Sequence, residues 1–419
     1  MSSNELSHLS RAKLAQLGRE YMAAAQFNSR TGYAALRINH GDAAYKQVAI
    51  DNWMAASPIY TRRMQRAMGF SGKSDVATIF KGLQLECGLS HQYFNAHFEV
   101  SSADSGRFWL QSCGPLLETE PRGEEAVKVM CHDIEDPTFD ATAIATNPRA
   151  RMRPVHRPPR LPADRAPHCE WRVFIDADAE PLSEPEVMQK LQRCALARLE
   201  IPRPVAEANA SGMAYYSADV HEQLHLEQLS HAALVVVCKE LALQNHLLIK
   251  ALAMVVEGLY GRGAAQSVVE FQMTGSAWVM GERLAKWAGR ENGGIDAIID
   301  VLSVHPLFQP LEYQSIGIRK VDERTATVEL QRSPAQEDHE FLSWLSLLDM
   351  GFSDGLAALV QGVDRRARCQ PTAPGVSQWK IEVAAEIDAA PEPLAVQIAK
   401  GTVLYQTRFE DRVQLLEVQ

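Results

Sequence analysis

Leu9-Ser-Arg-Ala-Lys-Leu14 returns 220 residues later as Leu229-Ser-His-Ala-Ala-Leu234, and Glu20 returns as Glu240. The same spacing sets Gly41 against Gly261, Ala44 against Ala264, Met64 against Leu284 and Gly69 against Gly289. Matches that keep their order along half a chain mark an internal duplication rather than chance likeness between two helices. Further on the spacing drifts to 215, placing Ala143 against Ala358 and Arg151 against Arg366. Cys169-Glu-Trp171-Arg-Val173 then faces Ser377-Gln-Trp379-Lys-Ile381. The expected organisation is a first repeat over 1–180, a linker with a helix over 181–217 and a second, degenerate repeat over 218–419.

Each repeat reads as α+β, with a helical N-terminal part followed by a mostly antiparallel sheet and a packed helix. Periodicity of 3.6 residues predicts helices near 5–28, 42–56 and 57–69, the last opening at Ser57-Pro58 with Ser as cap and Pro in the first turn. A helix over 74–85, strands over 92–100 and 107–113, a helix over 123–135 and strands over 149–155 and 169–176 complete the unit. The second copy predicts helices over 218–258, 264–274, 276–288 and 294–303 and strands over 311–321, 324–332, 364–370 and 376–386. A linker helix over 184–199 and a tail strand over 401–418 are also expected.

Bulk properties narrow the function. The chain has 419 residues, 46% of them apolar, enough for full-sized cores. A formal net charge of −10 argues against nucleic acid as partner. The N-terminus lacks the apolar core of a secretory signal, and the greasiest stretch, 232–254, is broken by Lys239, Glu240 and Lys250, so no membrane partner is expected. Seven cysteines without a Cys-x-x-Cys pair fit a reducing cytoplasm. No glycine-rich phosphate loop or Gly-x-Ser-x-Gly elbow is found, so no nucleotide cofactor is expected.

Candidate chemistry gathers in Met130–Arg160, MCHDIEDPTFDATAIATNPRARMRPVHRPPR. With the 215 spacing, Cys131, His132, Asp133, Glu135 and Asp136 face Ser346, Leu347, Leu348, Met350 and Gly351, so the first copy is the reactive one. His132 and Glu135, three apart on a helix, suit two ligands of one Zn, Mn or Fe(II) ion, and Asp136 is a third candidate. The alternative is a solvated helix end with ordinary surface acids. Cys131 is a candidate nucleophile with His156 or His97 as base, against the commoner fate of a buried inert thiol. Arg153 and Arg157, with Arg160, offer forks for a substrate carboxylate, against a solvated proline-stiffened loop.

Two further groups stand out. In a strand, His91, Tyr93, Asn95, His97 and Glu99 share one face and form a candidate ligand wall or a wet face. This row is expected to converge with residues 131–135. His221-Glu-Gln-Leu-His225 matches His-Glu-x-x-His, so His221 and His225 form an alternative metal site if the segment is helical. The competing reading is the polar start of a long helix.

The helix ending at Cys131-His132-Asp133, the strand 152–155 and Cys169-Glu-Trp171 carry a resemblance. Over Ala96–Asp176, with an echo at 315–386, the chain resembles the 4-vinyl reductase-type small-ligand domain, which shares its fold with transport-particle (TRAPP) subunits. It also resembles the L-2-amino-thiazoline-4-carboxylate hydrolase family. The segment 156–160, HRPPR, matches neither. The hydrolase resemblance implies an enzyme that hydrolyses or opens the ring of a small anionic or aromatic metabolite. The small-ligand resemblance implies a non-enzymatic binding or sensor protein, and the transport-particle likeness an adaptor. A non-haem iron oxygenase or lyase using the same residues is a further reading. The duplication predicts a pseudo-dimer in one chain, with further homo-oligomerisation open.

Overall fold

A computed structural model describes residues 5–206, 211–387 and 390–410. The first half runs α1 (Arg11–Ala67), α2 (Val76–Gln84), β1 (Phe94–Ser102), β2 (Ser105–Cys113), α3 (Gly114–Thr119) and α4 (Glu124–Lys128). It continues through a π-helical turn, Val129–Ile134, into α5 (Glu135–Ile144), β3 (Ala150–His156) and β4 (Cys169–Ile175). Two short helices, α6 (Glu186–Leu191) and α7 (Ala195–Arg198), follow. The second half holds α8 (His231–Tyr260), α9 (Arg262–Trp287), α10 (Ile295–Val304), β5 (Ser315–Asp322) and β6 (Thr325–Gln331). It ends with α11 (Pro334–Glu337), α12 (Trp344–Asp349), α13 (Asp354–Val363), β7 (Ala367–Pro371), β8 (Gln378–Val383), α14 (Leu394–Lys400) and α15 (Val403–Gln406).

The protein is α+β with two four-stranded antiparallel sheets of matching strand order, β1-β2-β4-β3 and β5-β6-β8-β7. The two halves match in local detail. Ser10 caps α1 by accepting from Lys13 N at 3.3 Å, and Ser230 caps α8 by accepting from Ala233 N at 3.2 Å. Gly41 (φ 83°) kinks α1, and Gly261 (φ 84°) separates α8 from α9. That backbone conformation strains any residue with a Cβ, which is why glycine recurs there. Phe108 pairs with Trp171 as Val328 pairs with Trp379, and both tryptophans are fully buried.

The halves meet through their long helices, α1 lying along α8 and α9. Two reciprocal buried ion pairs cross the interface. Arg283 donates to both Glu20 carboxylate oxygens at 2.6 and 2.7 Å, and Arg63 donates to both Glu240 oxygens at 2.9 Å. Glu20 corresponds to Glu240 and Arg63 to Arg283, so each acid pairs with the other copy's base. That self-complementary pattern is the signature of a two-fold interface. α8 is long and apolar enough to cross a membrane by composition, but 83% of its most apolar window is buried inside the protein.

Several expectations are corrected. No helix breaks at Ser57-Pro58: α1 runs on to Ala67, and Ser57 is buried, accepting from Thr142 Oγ1 at 3.0 Å instead of capping a helix. α9 is likewise continuous. α8 begins at His231, not near 218, because Ser230 is the residue whose side chain caps it. The linker helix splits into α6 and α7. Residues 403–406 are helical where a tail strand is expected, and 411–418 lie outside the described residues. Ala150 and Ala367 open equivalent strands, so the late spacing is 217, not 215. Consistently, Asn147 Oδ1 accepts from Arg149 N and Asp364 Oδ1 accepts from Arg366 N, both at turns leading into these strands. Arg149, rather than Arg151, is the partner of Arg366.

Candidate functional site: an aromatic cavity in the first repeat

A cavity of about 120 Å³ opens between α1, the 86–89 turn, the first sheet, the π-helical turn and α5. Helical spacing on α1 puts Arg30, Tyr33, Tyr45, Ala49, Trp53 and Tyr60 along it, on both sides of the Gly41 kink. Phe94 and Leu110 come from the sheet, and Met130, Ile134, Glu135 and Phe139 from the opposite wall. Glu86 closes one end. Tyr33 and Tyr45 meet edge to face with centroids 5.5 Å apart, and Asn52 Nδ2 holds the Tyr33 hydroxyl at 3.0 Å. The fully buried Tyr60 hydroxyl has no hydrogen-bond partner among the described residues. Such groups are rare in native cores and mark strain, hidden solvent or a ligand site.

Two carboxyls face this space. Glu86 is 5% exposed, and burial pushes its pKa up to about 8, with only Thr61 Oγ1 at 3.4 Å pulling the other way. Glu135 is half-buried, and burial pushes it to about 8 as well, against the pull of Arg157. The π-helical turn directly precedes Glu135. Such turns widen a helix locally and recur at functional sites. Arg30 is already neutralised by Glu118, 3.4 Å away, and Val403 N also donates to that carboxylate.

The second half holds almost no such cavity. At the 220 spacing, Tyr33, Tyr45, Trp53, Tyr60 and Glu86 become Ala253, Ala265, Met273, Met280 and Pro306. The equivalent space, lined by His246, Ile249, Met280 and Pro306, is about 10 Å³. Trp344 fills it, its indole N–H donating to Gln272 Oε1 at 3.0 Å, where the first copy has Asn52 holding Tyr33. The ion pair survives in both copies, Arg30–Glu118 matching Lys250–Asp338 at 3.5 Å. That pair belongs to the common scaffold, whereas the aromatic walls and Glu86 belong to the first copy alone.

The residues singled out in the sequence scatter around this cavity. Glu135 lines it. His132, on the same turn, points elsewhere, its Nε2 on Pro158 O at 2.7 Å. Asp136 pairs with Arg157, so His132, Glu135 and Asp136 do not share a centre. Cys131 is 3% exposed, and burial followed by Glu135 pushes its thiol well above the ordinary range. That is the environment of an inert core thiol rather than a thiolate nucleophile. His156 stands at the end of β3, its pKa lowered by burial and then by Arg165. Arg153 pairs with Asp140 at 2.9 Å and Arg160 with Glu120 at 2.7 Å. None of these arginines lines the cavity.

The expected row 91–99 splits. Tyr93 precedes β1 and is fully buried with its ring beside Arg30. His91 hydrogen-bonds Gln84 O at 2.9 Å, and burial pulls its pKa down to about 4. Asn95 and His97 sit on the outer face, where His97 stacks on Trp109. His97 Nδ1 meets Glu222 Oε1 at 2.8 Å, so this row converges with the HEQLH segment rather than with residues 131–135. HEQLH is not helical. It runs as a loop beside β1, Phe98 N donating to Glu222 O at 3.0 Å. His221 Nδ1 lies 3.5 Å from Gln228 Nε2, and His225 N donates to Gln228 Oε1 at 2.8 Å. Without a helix, His221 and His225 lose the one-face geometry a shared ion requires. Among the described residues, no three His, Cys, Asp or Glu gather as a metal-ligand group.

No family model, curated protein or solved structure matches this chain.

Proposed function

We propose that this chain binds a small molecule in the first-repeat cavity, while the second repeat serves as scaffold. The observation that carries this reading is the contrast between the copies. One fold, built twice, keeps an aromatic cavity with a buried carboxyl and an unsatisfied tyrosine hydroxyl in one place and packs the equivalent space with a tryptophan in the other. Packing alone favours the filled version, since voids in a core are destabilising. Perturbed carboxyls in an apolar cleft are typical of functional sites. The resemblance to 4-vinyl reductase-type small-ligand domains agrees with this reading.

Turnover is the second reading. Two carboxyls near neutrality suit general acid–base chemistry, and hydrolysis or ring opening is the class the other resemblance implies. Nucleophilic catalysis by Cys131 and metal chemistry through His132 or His221 gain no support from the geometry.

The test is calorimetric titration with three single-ring probes: neutral tert-butylbenzene, cationic phenyltrimethylammonium and anionic benzoate. At least one should bind saturably, one per chain. Ala49→Phe, which pushes a ring into the cavity, should abolish that binding. Ala49→Val, the residue the second copy carries at Val269, serves as a milder control for folding. No saturable binding to wild type, or binding unchanged in folded Ala49→Phe, would overturn the reading.

A further inference from the structure

The charges around the cavity do not balance. The one basic side chain lining it, Arg30, and several close by each have their own acid. Arg30 pairs with Glu118, Arg37 with Asp42 at 3.0 Å, Lys46 with Asp133 at 3.0 Å, Arg62 with Glu184 at 2.7 Å, and Arg157 with Asp136. Glu86 and Glu135 are the lining carboxyls, and neither has a basic partner at ion-pair distance among the described residues. The same space is lined by the rings of Tyr33, Tyr45, Trp53, Tyr60, Phe94 and Phe139. Tyr45 already accepts a cation, the Arg37 guanidinium lying 3.7 Å from its ring centroid.

Resting on the small-molecule reading above, we propose that the ligand is a small organic cation, a protonated or quaternary amine held by aromatic faces and countered by Glu86 and Glu135. Aromatic faces carry negative potential and attract cations most strongly where water is excluded. A buried carboxylate without a partner is unfavourable, and a bound cation removes that penalty by supplying the missing charge. The tyrosine hydroxyl at Tyr60 adds an acceptor for an N–H of a protonated amine, one that a quaternary amine leaves unused. The second copy again gives the contrast. Where the rings and Glu86 are replaced by Ala253, Ala265, Met273, Met280 and Pro306, the space has closed as well. An anionic ligand would meet two carboxyls and only an arginine already committed to Glu118.

The experiment compares phenyltrimethylammonium with its neutral isostere tert-butylbenzene and with benzoate, on wild type, Glu86→Gln and Glu135→Gln. These substitutions keep side-chain shape and remove a charge whose burial is unfavourable, so the variants should fold. The cation should bind wild type at least about tenfold more tightly than either other probe. Each Gln variant should weaken the cation about tenfold or more and leave tert-butylbenzene within about twofold. Equal or tighter binding of tert-butylbenzene or benzoate, or unchanged cation affinity in both Gln variants, overturns the cation assignment while leaving the cavity as a binding site. Failure of all three probes to bind overturns the cavity reading along with it.

Discussion

Glu20→Ala will destabilise the folded chain by about 3–5 kcal/mol, measured as a lowered urea midpoint with unchanged slope. Arg283 forms two short bonds to Glu20 in a site where both side chains are nearly inaccessible, 6% and 0% exposed. Removing the acid leaves a guanidinium committed to the interior, held by neutral acceptors such as Thr407 O at 2.8 Å, with the favourable charge–charge attraction gone. Gln92 Nε2, which donates to Glu20 at 3.0 Å, also loses a partner. The double variant Glu20→Leu/Arg283→Met removes both charges and should recover most of the loss. Glu240→Ala should behave the same way, because Arg63 is its symmetric partner. A loss under about 1 kcal/mol for both single variants would mean that these pairs do not hold the halves together.

Glu86→Gln should do the opposite, increasingly so as pH rises above about 4.5. In the folded chain burial raises the Glu86 pKa from the ordinary 4.5 to about 8. Between those values the folded state keeps a proton that the unfolded state has released. The wild type therefore loses stability as pH rises from about 4.5 to 8, and the loss is complete above 8. Glutamine has no proton to lose. The variant should match wild type near pH 4 and exceed it at pH 9 by a few kcal/mol, with about 5 as the upper bound that span allows. Melting temperatures at pH 4, 7 and 9 give the readout. Parallel profiles for the two proteins would show that Glu86 is not held in an apolar site.

The duplication was legible because backbone requirements leave residue-specific marks. A cap needs a short side chain with an acceptor oxygen, and Ser10 and Ser230 recur; a kink with positive φ favours glycine, so Gly41 and Gly261 recur; buried strand positions share Trp171 and Trp379. The spacing falls from 220 at Phe108/Val328 to 217 at Ala150/Ala367, and the intervening stretch, where α12 and α13 replace the continuous run from α4 to α5, has no anchored residue that distinguishes 217 from 215. HEQLH has helical spacing in sequence, but it is a loop in which the His221 and His225 backbone N–H groups donate to Tyr216 Oη and Gln228 Oε1. Glu135 was found in the sequence and lies in the cavity, while His132 one turn away does not. Sequence spacing could not show which side chains the widened π-helical turn aims inward.

The histidines and cysteines that stand out in the sequence do not mark the cavity, which is walled by tyrosines, a tryptophan and phenylalanines. A signal existed. Applying the 220 spacing along α1, and not only to its matches, exposes Tyr33/Ala253, Tyr45/Ala265, Trp53/Met273 and Tyr60/Met280. Aromatic residues in one copy facing small or flexible ones in the other indicate a space that one half keeps and the other fills.

The most direct test of that asymmetry is fluorine NMR on chain labelled with 5-fluorotryptophan, with resonances assigned by Trp53→Phe and Trp344→Phe. Trp53 lines the cavity and Trp344 fills its counterpart. Titration with phenyltrimethylammonium and, separately, tert-butylbenzene should shift the Trp53 resonance in a saturable way for at least one probe and leave Trp344 in place. Saturable movement of Trp344 with Trp53 unmoved, or no movement of either, would contradict a ligand site confined to the first repeat.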